Sequence, residues 1–405
     1  MTDPQNPDRL TPDAQPWLFA PNLQLLFAVF AAAGAEARVV GGAVRNSLLG
    51  VPVGDIDLAV NRAPEESEAI LRSEGIKVVR TGFAHGTVTA VIDGQGYEVT
   101  SLRRDVSTDG RRATVTYTDA WAEDAARRDF TCNALYVGAD GQIYDFCNGF
   151  ADAVAGRIRF IGDPVARIDE DYLRILRFFR LFAIYGRGEI NAAGLAACTA
   201  AAPQLATLSR ERVTQEWRKL LLASQPVPIL ALMQTQGILG QVVPLTLAFE
   251  HLTALLVLPE GAQAGFALRF AALLPRAEAL LEPVLLAALR LSNAELQQVL
   301  ALCQPELAVN SANLSAILYR HGVAYARDRV LLQVAVDGVE LTALLQRIAA
   351  WASPRFPLSG QDALALGLTP SPALGALLHR VEEWWLAADC VPNRDACLVK
   401  LRALL

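Results

Sequence analysis

The sequence has no apolar run long enough to cross a lipid bilayer, although 53% of its 405 residues are hydrophobic and its mean hydropathy is +0.28. A membrane-spanning helix needs about 20 consecutive apolar residues, and the best candidate, residues 26–35, is far shorter. Residues 1–16 also lack the basic and apolar regions of a signal peptide. These absences predict a cytoplasmic protein with a large buried core and no membrane partner.

Paired cysteines and clustered histidines are missing as well. Six cysteines occur without a Cys-x-x-Cys pair, and four histidines are scattered singly. We therefore expect buried free thiols rather than a disulfide framework, and no zinc site. The absence of a His-Asp dipeptide argues against an appended metal phosphohydrolase of the HD type.

The net charge of −6 argues against indiscriminate binding to nucleic acid. A local basic groove could still serve one end of one RNA. Lysine is rare, with only Lys77, Lys219 and Lys400, so the basic residues are almost all arginine. Arginine suits bidentate contacts to phosphates and base edges, but the same bias can reflect genome composition, and both explanations stay open.

The chain has two parts that differ in their predicted secondary structure. Up to about residue 160, short β-rich runs alternate with helical stretches, and beyond about residue 165 the chain is rich in alanine and leucine with helical periodicity. The predicted strands are Ala37–Val40, Ile56–Val60, Thr87–Asp93, Tyr97–Leu102, Thr131–Val137 and Ile143–Asp145. The predicted helices of the first part are Asn22–Ala33, Ala43–Leu49 and Pro64–Ser73. We therefore predict an α+β protein, in which a head with a mixed β-sheet precedes a long all-α portion.

Two aspartates lie on one side of a predicted strand. Residues 54–58 read Gly-Asp-Ile-Asp-Leu, and the two-residue period of a strand directs Asp55 and Asp57 to the same face. Neighbouring carboxylates repel each other unless a cation lies between them, and oxygen ligands suit Mg²⁺. The preceding Gly41-Gly42 would let a phosphate approach backbone N–H groups at a strand-to-helix turn. An Asp-x-Asp pattern by itself could also be a solvated turn.

A third acid, Glu98, lies on the predicted strand Tyr97–Leu102, whose alternation places Glu98 and Thr100 on one face. Glu98 could complete a metal site with the two aspartates. The alternative is a surface carboxylate on an edge strand, and the residues alone leave both interpretations open.

The order of these motifs resembles one superfamily of enzymes. Gly-Gly, then Gly-Asp-Ile-Asp, then His-Gly-Thr-Val at residues 85–88 and Glu-Val-Thr-Ser-Leu-Arg at residues 98–103 are similar to the polymerase-β-like nucleotidyltransferase head. Within that superfamily the chain resembles class II tRNA CCA-adding enzymes and bacterial poly(A) polymerases. The resemblance implies two-metal phosphoryl transfer with Mg²⁺. Asp55 and Asp57 would then bind the metal and act with Glu98 as catalytic residues.

The same resemblance extends to nucleotide binding, for which it implies Gly41, Gly42 and Arg45. Residues 127–134, Arg-Arg-Asp-Phe-Thr-Cys-Asn-Ala, match the family's RRDFTxNA motif. The arginines can clamp phosphates, and the Asp and Asn can bond ribose hydroxyls or orient the arginines. The resemblance assigns four residues of this segment to ribose and triphosphate binding: Arg127, Arg128, Asp129 and Asn133.

Another motif follows Asp163-Pro164. Helical spacing would place Asp171 and Arg174 on one face, and the pair resembles the family's EDxxR motif, in which Asp and Arg select CTP or ATP without a template. Arg177 and Arg180 extend a similar stripe, so we expect Arg177 to bind nucleotide and Arg180 to support it. The alternative is an ordinary surface ion pair.

Residues 209–216, Ser-Arg-Glu-Arg-Val-Thr-Gln-Glu, are predicted to begin a helix with Ser209 as its N-cap. They resemble the family's ERxxxE element, which braces the nucleotide-binding helix. We therefore expect Glu211, Arg212 and Glu216 to give structural support.

Residues 103–112 have little apolar content and are predicted to form a mobile surface loop. In the family, a loop at this place helps to switch the pocket from CTP to ATP, and its length here favours complete CCA addition. Residues 85–88 also look more like the CCA-adding type than the poly(A) polymerase type.

The resemblance is looser beyond about residue 225. Residues 356–360 and 367–372 look like tail turns whose N–H groups could contact RNA phosphates, although Ser371 replaces the usual glycine. Trp384-Trp385 is more typical of helix packing than of base stacking. We predict a flexible N-terminus over residues 1–20, a catalytic head over 21–155, a helical neck over 156–225, a helical body over 226–350 and a tRNA-binding tail over 351–405.

The sequence therefore predicts an enzyme that adds CMP, CMP and AMP to the 3′ end of tRNA from CTP and ATP. The alternatives are a poly(A) polymerase, an enzyme that adds only A or only CC, a small-molecule nucleotidyltransferase and a non-enzymatic RNA-binding relative. The long helical half argues against a small acceptor.

Overall fold

The computed structural model describes residues 2–3, 6–109, 112–275, 281–304, 308–367, 369 and 371–405. The chain divides into two compact units, Met1–Val242 and Val243–Leu405. In the described part of the chain, every helix is too short or too polar to span a membrane.

The first unit combines a large sheet with helices. Its strands are β1 (Thr2–Asp3), β2 (Asn6–Leu10), β3 (Ala37–Val40), β4 (Asp57–Val60), β5 (Lys77–Gly82), β6 (Thr87–Ile92), β7 (Gln95–Ser101), β8 (Arg103–Asp109), β9 (Arg112–Tyr117), β10 (Leu135–Val137) and β11 (Ile143–Asp145). Its helices are α1 (Pro21–Ala32), α2 (Gly42–Leu49), α3 (Pro64–Ser73), α4 (Trp121–Ala126), α5 (Gly149–Ala155), α6 (Pro164–Glu170), α7 (Leu173–Tyr185), α8 (Ala192–Ala201), α9 (Arg210–Leu221), α10 (Pro226–Thr235) and α11 (Leu239–Val242).

Seven strands form one mixed sheet in the order β11-β10-β3-β4-β7-β6-β5. β4 and β7 are parallel, whereas the other neighbouring strands are antiparallel. The parallel register places Asp57 beside Glu98, and the register with β3 places Val40 beside Asp57. Because β7 lies inside the sheet, the alternative that Glu98 belongs to an edge strand is wrong. The sheet thus places acids from two separate segments side by side on adjacent strands.

The central strands are apolar and buried. Leu58, Ala59 and Val60 are at most 1% exposed, and β3 is buried along its whole length. Strands covered on both faces are expected to be continuous apolar runs, which explains why the acidic alternation stops after Asp57. Asp57 therefore lies at the border between the core and the open end of the sheet.

Residues 103–112 differ from their prediction. They do not form a loop but the antiparallel pair β8–β9, while Gly110 and Arg111 lie outside the described residues. The low apolar content of this segment predicted a loop. The backbone N–H and C=O groups of one strand bond those of the other, and amino-acid composition does not reveal such pairing. The edge strand β5 was also absent from the predicted strands.

The predicted strand Thr131–Val137 is shorter in the structure. Residues 131–133 form a 3₁₀ turn, and only Leu135–Val137 is extended. The N–H of Asn133 bonds the carbonyl of Phe130, and this local hydrogen bond replaces strand pairing. The turn brings the side chain of Asn133 back toward Asp129, where Asn133 Nδ2 lies 3.1 Å from Asp129 Oδ1.

The described residues of the second unit contain only helices and connections. The helices are α12 (Phe249–Val257), α13 (Phe266–Leu273), α14 (Leu281–Ala288), α15 (Asn293–Cys303), α16 (Leu314–Asp337), α17 (Thr342–Ala349), α18 (Gly360–Leu364), α19 (Pro372–Ala387) and α20 (Arg394–Arg402). The predicted fold class, an α+β head followed by an all-helical portion, is confirmed.

The last helices enclose a small core of their own. Trp385 is 2% exposed and packs with Val381 and Leu401, as expected for helix packing. Ser371 caps α19 by accepting the N–H of Leu374. Two residues of the predicted turn before it, Leu368 and Pro370, lie outside the described residues.

Candidate active site

A polar cleft of about 480 Å³ lies at the start of β4, within the first unit. This volume is in the range of about 300–1,000 Å³ that is usual for small-molecule sites. The residues that line the cleft are Val40, Gly41, Gly42, Ala43, Arg45, Asn46, Gly54, Asp55, Asp57, Glu98, Thr100, Arg127, Arg128, Asp129, Asn133, Arg177, Arg180, Leu181 and Lys219. The cleft thus combines a group of acids with a larger group of cations, as a site for a metal and a phosphorylated ligand requires.

Most of the predicted site residues lie in this lining. Asp55 precedes β4, Asp57 begins it, and both line the cleft together with Glu98. Five predicted residues are outside the lining: Asp171, Arg174, Glu211, Arg212 and Glu216. Lys219 lines the cleft although no motif indicated it.

The acids carry negative charge that their surroundings do not fully compensate. Burial, together with the charges of Glu98 and Asp55, raises the pKa of Asp57 to about 6, although the charge of Arg128 lowers it. Such a group becomes easier to ionise when a cation binds nearby. The protein therefore holds this carboxylate in a place where a bound cation is favourable.

Gly41 turns the chain from β3 into α2. Its φ is +80° and its ψ is −120°, which residues with a side chain rarely adopt. Its N–H donates to the carbonyl of Leu135 at 3.0 Å, and its carbonyl accepts the N–H of Arg45 as the helix begins. The turn directs the start of α2, with its free N–H groups, to the cleft.

Asp124 holds the two arginines of the RRDFTxNA segment. It is 1% exposed, and its carboxylate accepts Arg127 Nε at 2.8 Å, Arg128 Nη2 at 2.8 Å and the Tyr136 hydroxyl at 2.7 Å. Burial alone would raise the pKa of Asp124, but the charges of Arg128 and Arg127 outweigh it and lower the pKa to about 2. Asp124 belongs to none of the motifs found in the sequence, although its spacing from the arginines, i to i+3 and i+4, is the usual spacing of helical ion pairs.

Asp129 orients an arginine of another element. Arg177 Nε on α7 donates to Asp129 Oδ2 at 2.7 Å, and Asn133 Nδ2 donates to Asp129 Oδ1 at 3.1 Å. Burial opposes ionisation, but the charge of Arg177 and the bond from Asn133 lower the pKa of Asp129 to about 2. Asp129 thus orients Arg177, whereas Arg127 and Arg128, the arginines that it was predicted to orient, are held by Asp124.

Aromatic rings hold α7 beside this segment. The ring centroid of Phe160 lies 4.7 Å from that of Phe130 and 5.3 Å from that of Phe178 on α7. All three rings are buried. Ring stacking of this kind fixes the distance between α7 and the RRDFTxNA segment.

The expectation that Asp171 and Arg174 share one helix face is wrong. Asp171 is extended, with φ −160°, and separates α6 from α7. Its Oδ1 accepts the N–H of Leu173, so it caps the start of α7 rather than continuing α6. The two side chains then pair with different neighbours, Asp171 with Arg212 at 2.6 Å and Arg174 with Glu170.

The ERxxxE element contacts the residues around α7. Besides the contact of Arg212, Glu216 accepts Arg180 Nε at 2.6 Å. Ser209 occupies the N-cap of α9, but its side chain makes no capping hydrogen bond, and Glu211 is exposed in the first turn. The element thus braces Asp171 and Arg180 by ion pairs.

Comparisons with known proteins agree with this arrangement. Residues 37–159 match the family described as the poly A polymerase head domain, and residues 189–249 match the probable RNA and SrmB-binding site of polymerase A. The mitochondrial CCA tRNA nucleotidyltransferase 1 of Mus musculus is 33% identical over 94% of this chain and 90% of that protein. The CCA-adding enzyme of Lacticaseibacillus paracasei is 34% identical over 89% of this chain and 90% of that enzyme.

A solved structure shows the same fold over nearly the whole length. The CCA-adding enzyme of Bacillus stearothermophilus, in complex with CTP, superimposes with a TM-score of 0.72 at 23% identity, covering 97% of this chain and 98% of that one. Because relatives above 30% identity align over about nine tenths of both chains, the likeness is not confined to a shared head domain. The chain belongs to the family of class II CCA-adding tRNA nucleotidyltransferases and poly(A) polymerases.

Proposed function

We propose that this chain adds CMP, CMP and AMP in turn to the 3′ end of tRNA, with CTP and ATP as substrates and no nucleic-acid template. The observation that carries the proposal is the single cleft in which Asp55, Asp57 and Glu98 face the arginines of two motifs. Relatives that bear the CCA-adding name cover about nine tenths of the chain. We expect the helical tail to contact the tRNA, which stays a prediction.

The acids of the cleft suit Mg²⁺. Among the described residues, no three His, Cys, Asp or Glu side chains are grouped so that they could hold a metal ion. Mg²⁺ commonly takes only one or two carboxylates and completes its shell with water and substrate phosphates, which fits Asp55 and Asp57. When bound, such ions supply activation of the RNA 3′-hydroxyl and charge stabilisation for the triphosphate.

The remaining residues bind and orient the substrates. Arg127 and Arg128, held by Asp124, would bind the triphosphate, because two guanidinium groups sharing one carboxylate keep a net positive charge. Asp171 and Arg174 would read the base. A protein that replaces a template needs rigid donors and acceptors, and the ion pairs of these two residues with Arg212 and Glu170 would supply that rigidity.

Transfer of each labelled nucleotide to tRNA that lacks CCA tests the function. We expect incorporation of CMP, followed by a single AMP only after CMP has been added. A control tRNA that already ends in CCA should accept nothing. A long A tract without use of CTP would identify a poly(A) polymerase instead, and products that end at CC would identify a CC-adding enzyme.

Glu98→Gln tests whether Glu98 contributes to the metal site. We expect the Mg²⁺ concentration for half-maximal activity to rise roughly 10- to 100-fold, as is usual when a group that supports metal ligands is lost. The matched control is Glu74→Gln, which removes an exposed acid at the end of α3. An unchanged Mg²⁺ requirement would show that Glu98 has no part in metal binding.

The cytoplasmic location predicted from the sequence also stays a proposal. Fractionation of cells that express the natural gene, followed by immunodetection of the chain, would test it.

A further inference from the structure

Arg45 is held by a tyrosine at the far end of α7. Arg45 Nη2 donates to the hydroxyl of Tyr185 at 2.8 Å, and the guanidinium carbon lies 4.0 Å from the centre of the tyrosine ring. Tyr185 is the last residue of α7 and is half-buried. One side chain therefore contacts the guanidinium by both its hydroxyl and its ring.

A further contact of Arg45 leads back to the same helix, while Arg45 Nη2 also donates to Asn46 Oδ1 at 2.9 Å. Arg45 Nη1 donates to Asn133 Oδ1, and Asn133 Nδ2 donates in turn to Asp129 Oδ1 at 3.1 Å. Asp129 Oδ2 accepts Arg177 Nε, which projects from α7 about two turns before Tyr185. A continuous chain of hydrogen bonds thus joins Tyr185 to Arg177, and both of its ends lie on α7.

The positive charge of Arg45 is not neutralised by an ion pair within the described residues. Across the described ranges, no carboxylate lies within ion-pair distance of its guanidinium, and its partners are amide and phenol groups. By contrast, Arg127 and Arg128 pair with Asp124, and Arg177 pairs with Asp129. Arg45 lines the cleft while being only 7% exposed. A desolvated cation without a carboxylate partner is well suited to an anionic ligand.

We propose that Tyr185 is a positioning residue for the nucleotide triphosphate, because it fixes the guanidinium of Arg45 at the cleft and ties that guanidinium to the helix that carries Arg177. The inference rests on the proposed role of Arg45 in nucleotide binding. A long side chain that is ordered before binding loses less entropy when the ligand arrives. Tyr185 therefore acts on nucleotide affinity and leaves the chemical step unchanged.

Tyr185→Phe removes the hydroxyl and keeps the ring. Loss of a hydrogen bond to a charged group predicts a rise of roughly 10-fold in the dissociation constants of both CTP and ATP. We expect the rate constant at saturating nucleotide and the KM for tRNA to change less than about twofold. Tyr185→Leu, which also removes the ring, should weaken both nucleotides further. The matched control is Tyr325→Phe, because Tyr325 is a half-buried tyrosine of the second unit whose hydroxyl donates to a backbone carbonyl.

A double-mutant cycle separates positioning from general support of the fold. We expect Arg45→Gln to weaken CTP and ATP binding, and Tyr185→Phe to have no further effect once Arg45 is replaced, because the hydroxyl acts through that guanidinium. Additive effects of the two substitutions would overturn the inference. Unequal weakening of CTP and ATP would also overturn it, since it would place the action of Tyr185 on base selection.

The outcomes distinguish the inference from the assignment beneath it. If Arg45→Gln leaves nucleotide affinity unchanged, the role of Arg45 is wrong and the inference fails with it, while CCA addition itself is unaffected. If Arg45→Gln weakens binding and Tyr185→Phe does not, only the role of Tyr185 is wrong. Circular dichroism and thermal unfolding of each variant identify any loss of folding. Arg45→Lys keeps the charge but loses the planar fork, so it tests the interaction between Tyr185 and the guanidinium by changing Arg45 instead of Tyr185.

Discussion

Asp57→Asn is expected to lower the single-turnover rate of CMP addition by about 10³-fold or more while the protein stays folded and binds tRNA normally. The substitution keeps the shape of the side chain but removes one of the two carboxylates proposed to hold Mg²⁺. Rapid-quench measurement with CTP and tRNA lacking CCA would give the rate. The Mg²⁺ requirement should rise in parallel.

The same variant should not lose stability. In the absence of a metal, burial and the charges of Glu98 and Asp55 raise the pKa of Asp57 from 3.8 to about 6. An acid whose folded-state pKa is raised destabilises the fold above that pKa, where the charge must be kept. In EDTA at neutral pH we therefore expect Asp57→Asn to unfold at the same temperature as the wild type or at a higher one.

Asp13→Asn is the matched control, because Asp13 is an exposed aspartate outside the cleft. Its activity should equal that of the wild type. Retention of normal CMP addition by Asp57→Asn would show that the Asp55–Asp57 pair is not the metal site, and the proposed chemistry would have to be abandoned.

Asp124→Ala is expected to lower the free energy of unfolding by about 3–5 kcal/mol, because it leaves two partly buried guanidinium groups without their buried counter-ion. Arg127, Arg128 and the Tyr136 hydroxyl all lose the acceptor that they share. Within the molecules that remain folded, the freed arginines should lower the rate of nucleotide addition by about 10²-fold, since small displacements of positioning groups have effects of this size. Urea unfolding and activity measured at low temperature give the two quantities.

Two further variants make this prediction specific. Tyr136→Phe removes one hydrogen bond to Asp124 and should cost only about 1 kcal/mol. Asp119→Ala removes an exposed acid and should have no effect on stability or activity. A loss in Asp124→Ala no larger than that in Tyr136→Phe would contradict the role given to Asp124.

The pKa values of Asp124 and Asp129 also predict how stability depends on pH. Both are lowered from 3.8 to about 2, so each carboxylate stabilises the fold fully above its unfolded pKa and loses that contribution as the pH falls toward 2. Each shift corresponds to about 2 kcal/mol. Between about pH 5 and pH 2, the free energy of unfolding should therefore decrease less steeply with falling pH for Asp124→Asn than for the wild type. Equal slopes would show that Asp124 does not titrate in this way.

The residues proposed to touch substrate could be predicted from the sequence, whereas the side chains that hold them in place could not. Asp57 and Arg127 belong to motifs because phosphoryl chemistry accepts few side chains at those positions. Asp124 and Tyr185 instead position other side chains by contacting them. Asp124 follows ordinary helical spacing, and Tyr185 meets Arg45 from a remote part of the chain, so neither produced a pattern of its own.

Local hydrogen bonds explain the errors in secondary structure. Asp171 was placed in a continuous helix because its spacing from Arg174 allows one, but its carboxylate caps Leu173 and ends the helix at Glu170. Residues 103–112 were expected to form a loop because they are polar, but strand pairing depends on a backbone partner rather than on polarity. Periodicity reports which faces are buried and carries no information about such competing partners.

Three features could be predicted from the amino-acid sequence alone: the order of the motifs, the α+β head with its helical continuation and the kind of chemistry that the acidic and basic residues can support. These features depend on the period of apolar residues and on the identity of reactive groups, which are properties of neighbouring positions. Three contacts became visible only in the folded chain: Asp57 lies beside Glu98, Asp124 binds two arginines, and Tyr185 holds Arg45. Sheet register and helix packing create such contacts by bringing distant segments together, so no local pattern contains them.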